Sequence, residues 1–201
     1  TLVRELGYNA VAGALVSNPV PELAKLRNGT LLSTTLHIPA GKTYKLPLPT
    51  GAGAEMDLEL SITLPRLAPL AFTIDVLASP DASRGAARAT RLAINISAPL
   101  ANDSRRDLNV SLSASRGYAA GVVVTGMPAA LTAAEAQRPL HVRVLVDRSI
   151  VEAFIGGGRV VATARDYPAA EEVAARVSTL AQSASLVVTQ AAAWSMGCGW
   201  V

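Results

Sequence analysis

Residues 57–64, Asp57-Leu58-Glu59-Leu60-Ser61-Ile62-Thr63-Leu64, alternate polar and apolar without a break. Period two is the signature of a strand with one buried and one wet face. The same spacing recurs in Leu70, Phe72, Ile74 and Val76, in Leu92, Ile94 and Ile96, in Leu108, Val110 and Leu112, and in Val142, Val144 and Val146. Clusters of Pro, Gly, Asn and Asp at 47–53, 65–69, 79–85 and 99–104 separate these rows and supply the turns. Many short strands punctuated in this way predict an antiparallel sandwich or barrel. Strands at 92–97 and 107–112 are expected to be neighbours. Two segments read as helical from their Ala and Glu content, 129–137 and 169–180, although 175–180 also reads as a strand.

The first 30 residues follow a different rule. Pro19 and Pro21 exclude a helix before about Glu22 and suit no central strand, so 14–30 is expected to be a linker ending in a short helical turn. Residues 1–13 would then close an upstream domain and 31–201 would form the sandwich.

The richest stretch is 140–168. It reads as three strands, one ending at Asp147, a second running to Ile155 after an Asp-Arg-Ser turn, and a third running to Arg165 after Gly156, Gly157 and Gly158. This stretch resembles the C-terminal β-sandwich of the family 32 glycoside hydrolases, the invertases and fructan hydrolases. Their Val-Asp-Arg-Ser-x-Val-Glu-x-Phe strand pair, Gly-Gly-Arg turn and Arg-x-Tyr-Pro ending are matched by Asp147, Arg148, Ser149, Val151, Glu152, Phe154, Gly157, Gly158, Arg159, Thr163, Arg165, Tyr167 and Pro168. Residues 19–27 are similar to the family's interdomain linker, 3–6 to the strand before it, and 193–196 to its last Trp-containing strand. The resemblance implies an all-β fold, an antiparallel two-sheet β-sandwich of concanavalin-like jelly-roll type. It further implies a five-bladed propeller catalytic domain upstream in the same polypeptide as the partner of this chain.

The family's catalytic carboxylates lie in Asn-Asp-Pro and Glu-Cys motifs, with an Arg-Asp-Pro stabiliser. Here Asn102-Asp103 is followed by Ser104, Arg165-Asp166 by Tyr167, and Cys198 follows Gly197. No catalytic residue is therefore expected in this chain, which reads as an accessory half that does not catalyse alone. Asp147, Arg148, Ser149, Glu152, Phe154, Arg159, Arg165 and Tyr167 become candidates for structural and interface roles. Asp147 would cap its turn, and Glu152 would pair on the strand surface with Arg159 or Arg165, unless those arginines reach the propeller.

Composition narrows the remaining choices. With 18 Lys and Arg against 15 Asp and Glu, the net charge is only +3, and aromatics make up 4% and do not interleave with the arginines. Nucleic-acid binding is therefore not expected. No run of 18 apolar residues offers a membrane helix. A single Cys excludes an internal disulfide or a Cys-based metal site, and no metal or cofactor is expected. His37 and His141 sit in strands without a nucleophile elbow. Four of six Asn, namely Asn28, Asn95, Asn102 and Asn109, head N-glycosylation sequons. Random placement would give about one, so the excess predicts the secretory pathway, with a secreted, cell-wall or vacuolar destination. A homodimer contact and a contact with sucrose or a fructan oligosaccharide are further expectations. Trp194, Trp200, Tyr44, Tyr118 and Tyr167 could stack on a sugar ring if exposed. The competing readings are a free-standing, lectin-like carbohydrate-binding sandwich and a cell-surface adhesion module.

Overall fold

The computed structural model describes residues 2–80, 88–99, 104–115, 123–125 and 129–197. Asn102, Tyr118, Cys198 and Trp200 lie outside them.

The chain runs β1 (Arg4–Asn9), β2 (Ala14–Pro19), a 3-10 turn over Pro21–Leu26, β3 (Arg27–Ile38), β4 (Thr43–Lys45), β5 (Glu55–Thr63), β6 (Leu70–Ala78), β7 (Thr90–Ile96) and β8 (Arg106–Ser113). It continues through β9 (Val123–Thr125), β10 (Ala129–Leu131), α1 (Ala133–Ala136), β11 (Leu140–Asp147), β12 (Ile150–Ile155), β13 (Val160–Arg165), β14 (Ala174–Thr179) and β15 (Leu186–Met196). Two antiparallel sheets form the sandwich, as the alternation predicts. One has the order β13-β12-β11-β5-β15-β3; the other runs β10-β8-β7-β6-β14-β4, with β9 also on β8. β1 and β2 form a separate hairpin.

The apolar rows face one another between the sheets. Met56, Leu58, Leu60 and Ile62 of β5 and Val142, Val144 and Val146 of β11 meet Leu70, Phe72 and Ile74 of β6 and Leu92 and Ile94 of β7, all buried in one core. Each side chain of this kind contributes about 1.5–3 kcal/mol by leaving water. In β6 the register shifts opposite Ala174 and Arg176, and Leu77 takes φ 48. This bulge turns an otherwise outward position into the core.

Both helical expectations need correction. In 169–180, residues 174–179 are β14, paired with β6 and β4. Val177 is completely buried between them, a burial that outweighs the propensity of the surrounding alanines. In 129–137 the helix is cut to four residues, because Ala129, Ala130 and Leu131 pair with β8. Thr132 and Glu135 complete a capping box that starts α1 only after the pairing ends. Residues 14–19 form strand β2, paired along its length with β1.

Candidate functional site

A strand's second face is normally wet, yet part of the outer face of the six-stranded sheet is covered. Register places Trp194, Asp57, Leu145, Glu152 and Thr163 in one row across five strands, and Ala192, Glu59, Arg143, Phe154 and Val161 in the next. Asp57 and Glu152 are completely buried, and Phe154 and Leu145 nearly so, although neither of the latter belongs to the core between the sheets.

Glu152 is reached from the β1–β2 hairpin. Its carboxylate accepts 3.0 Å hydrogen bonds from the Leu2 backbone N–H and from Arg4, and Arg4 also donates to Thr163 at 3.1 Å. The Arg4 guanidinium lies 5.4 Å from the centre of the Phe154 ring. Glu152 is therefore a buried anchor for the hairpin and not a surface partner of Arg159 or Arg165. Arg159 instead donates to Glu135 at 2.6 Å and to the Ala130 carbonyl at 3.2 Å, tying β13 to α1. Arg165 lies over Tyr167 at 5.2 Å. A second tie is backbone only: Ser17 N–H donates to the Gly158 carbonyl at 3.0 Å. Gly158 has φ +81, and a Cβ there would fall 2.5 Å from the Ser17 carbonyl oxygen.

The linker exit is clamped to the same face. Asp57 takes two hydrogen bonds from Arg143, at 2.9 and 2.8 Å, and one from Arg27 at 2.8 Å. Arg27 also pairs with Glu59 and stacks 3.6 Å from the Trp194 ring centre. Burial works against the Arg27 charge, but hydrogen bonds and attraction from Asp57 and then Glu59 prevail and raise its pKa above the ordinary arginine value.

The Asp-Arg-Ser turn is built differently from expectation. Asp147 is exposed and makes no side-chain hydrogen bond among the described residues. The turn is held through the backbone, by Arg148 N–H to Ala54 O at 2.8 Å and Asp166 N–H to Ser149 O at 2.9 Å. Arg148 adopts φ 51 and donates to Glu55 at 2.6 Å in an exposed pair. Sequence reading passed over Asp166, which is buried and accepts from Thr90, Ser115 and its neighbour Tyr167 at 2.8–3.4 Å, joining the two sheets. It also passed over Arg106, buried with its guanidinium on the carbonyls of Ser97, Pro65 and Ala68 at 2.6–2.7 Å. Burial lowers the Arg106 pKa.

Among the described residues, two further surfaces bear on function. The hairpin carries Val3, Leu6, Tyr8 and Leu15 at 68–80% exposure, with Tyr8 directly opposite Leu15. This apolar patch lies on the hairpin and not on a sandwich face. Beside it, a cleft of about 350 Å³ is lined by Asn18, Pro19, Ser61, His141, Arg143 and Gln190, among others. His141 Nδ1 and Ser61 Oγ are 3.1 Å apart. Among the described residues no three His, Cys, Asp or Glu side chains converge as metal ligands. Asn28, Asn95 and Asn109 are exposed on β3, β7 and β8.

Comparison with known proteins places this arrangement. A family model described as "Glycosyl hydrolases family 32 C terminal" matches residues 22–195. Sucrose:sucrose 1-fructosyltransferase of Festuca arundinacea is 30% identical over 175 residues, covering 77% of this chain and 26% of that protein. Fructan 1-exohydrolase w2 of Triticum aestivum is 45% identical over 65 residues, covering 31% of this chain and 11% of that protein. Among solved structures, fructan 1-exohydrolase IIa from Cichorium intybus has a TM-score of 0.76 at 18% identity, covering 96% of this chain and 40% of that one. Exo-inulinase from Aspergillus awamori has a TM-score of 0.61 at 18% identity, covering 98% and 35%. At such identities the likeness is one of fold. The chain spans about a quarter of the length of the Festuca relative and two fifths of the Cichorium chain.

Proposed function

The chain belongs to the C-terminal domain family of the family 32 glycosyl hydrolases, and on that premise we propose that it is the non-catalytic sandwich module of a sucrose- or fructan-cleaving enzyme. It packs on and stabilises a five-bladed propeller that precedes it in the same polypeptide. The observation that carries this reading is the hairpin. It is anchored to the sandwich through Arg4, Glu152 and Gly158, while its large apolar side chains, Leu6, Tyr8 and Leu15, are left to solvent. A contiguous exposed apolar patch marks a surface that another body covers. In this reading 1–13 belong to the upstream domain, 14–30 connect the two, and 31–201 are the sandwich. The sequons at Asn28, Asn95, Asn102 and Asn109 support passage through the secretory pathway to the cell wall or vacuole.

The test is the size of the native polypeptide. Five blades of about 50 residues add on the order of 27 kDa, so an antibody to this chain should detect a deglycosylated band well above its own 20.7 kDa. A band near 21 kDa would remove the reading. The cleft beside the hairpin, where Ser61, His141, Arg143 and Gln190 stand among apolar side chains, favours a second reading, a carbohydrate-binding sandwich that works alone. Calorimetric titration with sucrose, inulin-type and levan-type fructans tests it, and the absence of heat at millimolar sugar would discard it.

A further inference from the structure

Asn95 and Asn109 are direct cross-strand partners in β7 and β8. Two positions along, Ser97 N–H donates to Asp107 O at 3.0 Å, and the pairing alternates, so Asn95 and Asn109 also form a hydrogen-bonded pair, with Cα atoms about 5.5 Å apart and side chains on the same face. Both are exposed, and neither side-chain amide makes a hydrogen bond among the described residues. Their neighbours on that face are small: Ala71 lies opposite Asn95 on the other flank, and Ala93 pairs with Ser111 one step along. No bulky side chain would keep apart two sugars rooted there.

We propose that β7 and β8 of the folded, secreted protein carry one N-linked glycan between them, on Asn95 or on Asn109 and never on both. This rests on the secretory reading given above. The step is transfer from a lipid-linked oligosaccharide diphosphate. The Asn Nδ2 forms a C–N bond to the anomeric carbon, the C–O bond to the diphosphate breaks, the lipid diphosphate leaves with the electron pair, and the amide gives up one proton. Transfer precedes folding, and the constraint acts when β7 meets β8. Two branched oligosaccharides rooted about 5.5 Å apart contest one volume, and β7–β8 pairing is interior to its sheet. Doubly modified chains fail to close the register and are retained. Asn28 lies on β3 in the other sheet, and its occupancy is independent.

The full-length polypeptide carrying Asn102→Gln, secreted from a eukaryotic host, tests this. No lysine follows Lys45 among these 201 residues, so cleavage after lysine keeps residues 46–201 within one fragment, in which Asn95 and Asn109 are then the sequon sites of this stretch. The expected intact mass shows one glycan, and adding Asn95→Gln or Asn109→Gln moves it to the remaining site. A fragment with two glycans overturns the proposal. So does an unmodified fragment from molecules glycosylated at Asn28, or a Gln variant whose glycan does not move. Absence of glycan from Asn28 as well overturns the secretory reading itself.

Discussion

The Asp57 carboxylate lies in a place water does not reach, held by three hydrogen bonds from Arg27 and Arg143. Asp57→Ala would take the buried carboxylate away from two guanidinium groups and leave them only the half-exposed Glu59, and a loss of about 1–3 kcal/mol in urea unfolding is expected. Arg148→Ala provides the contrast. Its partner Glu55 is only half-buried and the Arg148 side chain is 80% exposed, so the change should leave the urea midpoint unmoved. Arg106→Leu would orphan three carbonyls and should cost at least about 2 kcal/mol by the same measurement. These roles were poorly legible in the sequence. Asp57 and Arg143 each occupy an outward position in an alternating strand, where a charge is the ordinary choice. Only the register between strands 86 residues apart makes them partners. Glu152 was singled out by its motif, but its partner Arg4 comes from 148 residues earlier, a distance no local pattern spans.

At the level of elements, the hairpin's seat on the sandwich depends on Gly158. A left-handed residue with a Cβ costs about 1–2 kcal/mol, and here the Cβ would also strike the Ser17 carbonyl. Gly158→Ala should speed hydrogen exchange of the β1 and β2 amides while β5 and β11 keep their protection; uniform acceleration would show that the hairpin is not a separate unit. The Gly156–Gly158 turn was legible, because three glycines between two apolar rows admit little else. The close approach of β2 was not. Strands with clean alternation, such as β5, β7, β8 and β11, could be read directly from their polar and apolar positions. β14 was ambiguous, since its alanines favour a helix in isolation and only the flanking β6 and β4 make it a strand.

Across the whole molecule, the two sheets present opposite kinds of outer surface. The six-stranded sheet is overlaid by an apolar-tipped hairpin, whereas the seven-stranded sheet shows small polar side chains and two sequons. Leu6→Asp combined with Tyr8→Asp alters side chains that are 80% and 68% exposed in this chain. The Tm of the 201-residue chain should be unchanged, and that of the full-length polypeptide should fall by several degrees in parallel scanning calorimetry. An equal fall in both would place the hairpin's contacts inside this chain alone.

β15, the last described strand, lies between β5 and β3, two strands made more than a hundred residues earlier. On the ribosome, β5 and β3 must wait unpaired along that side until β15 has emerged. Synthesis and folding of the six-stranded sheet are thereby uncoupled until β15 has been made. A premature stop codon before Leu186 would release a chain with two raw strand edges, and such a product should meet the quality-control machinery as an aggregate.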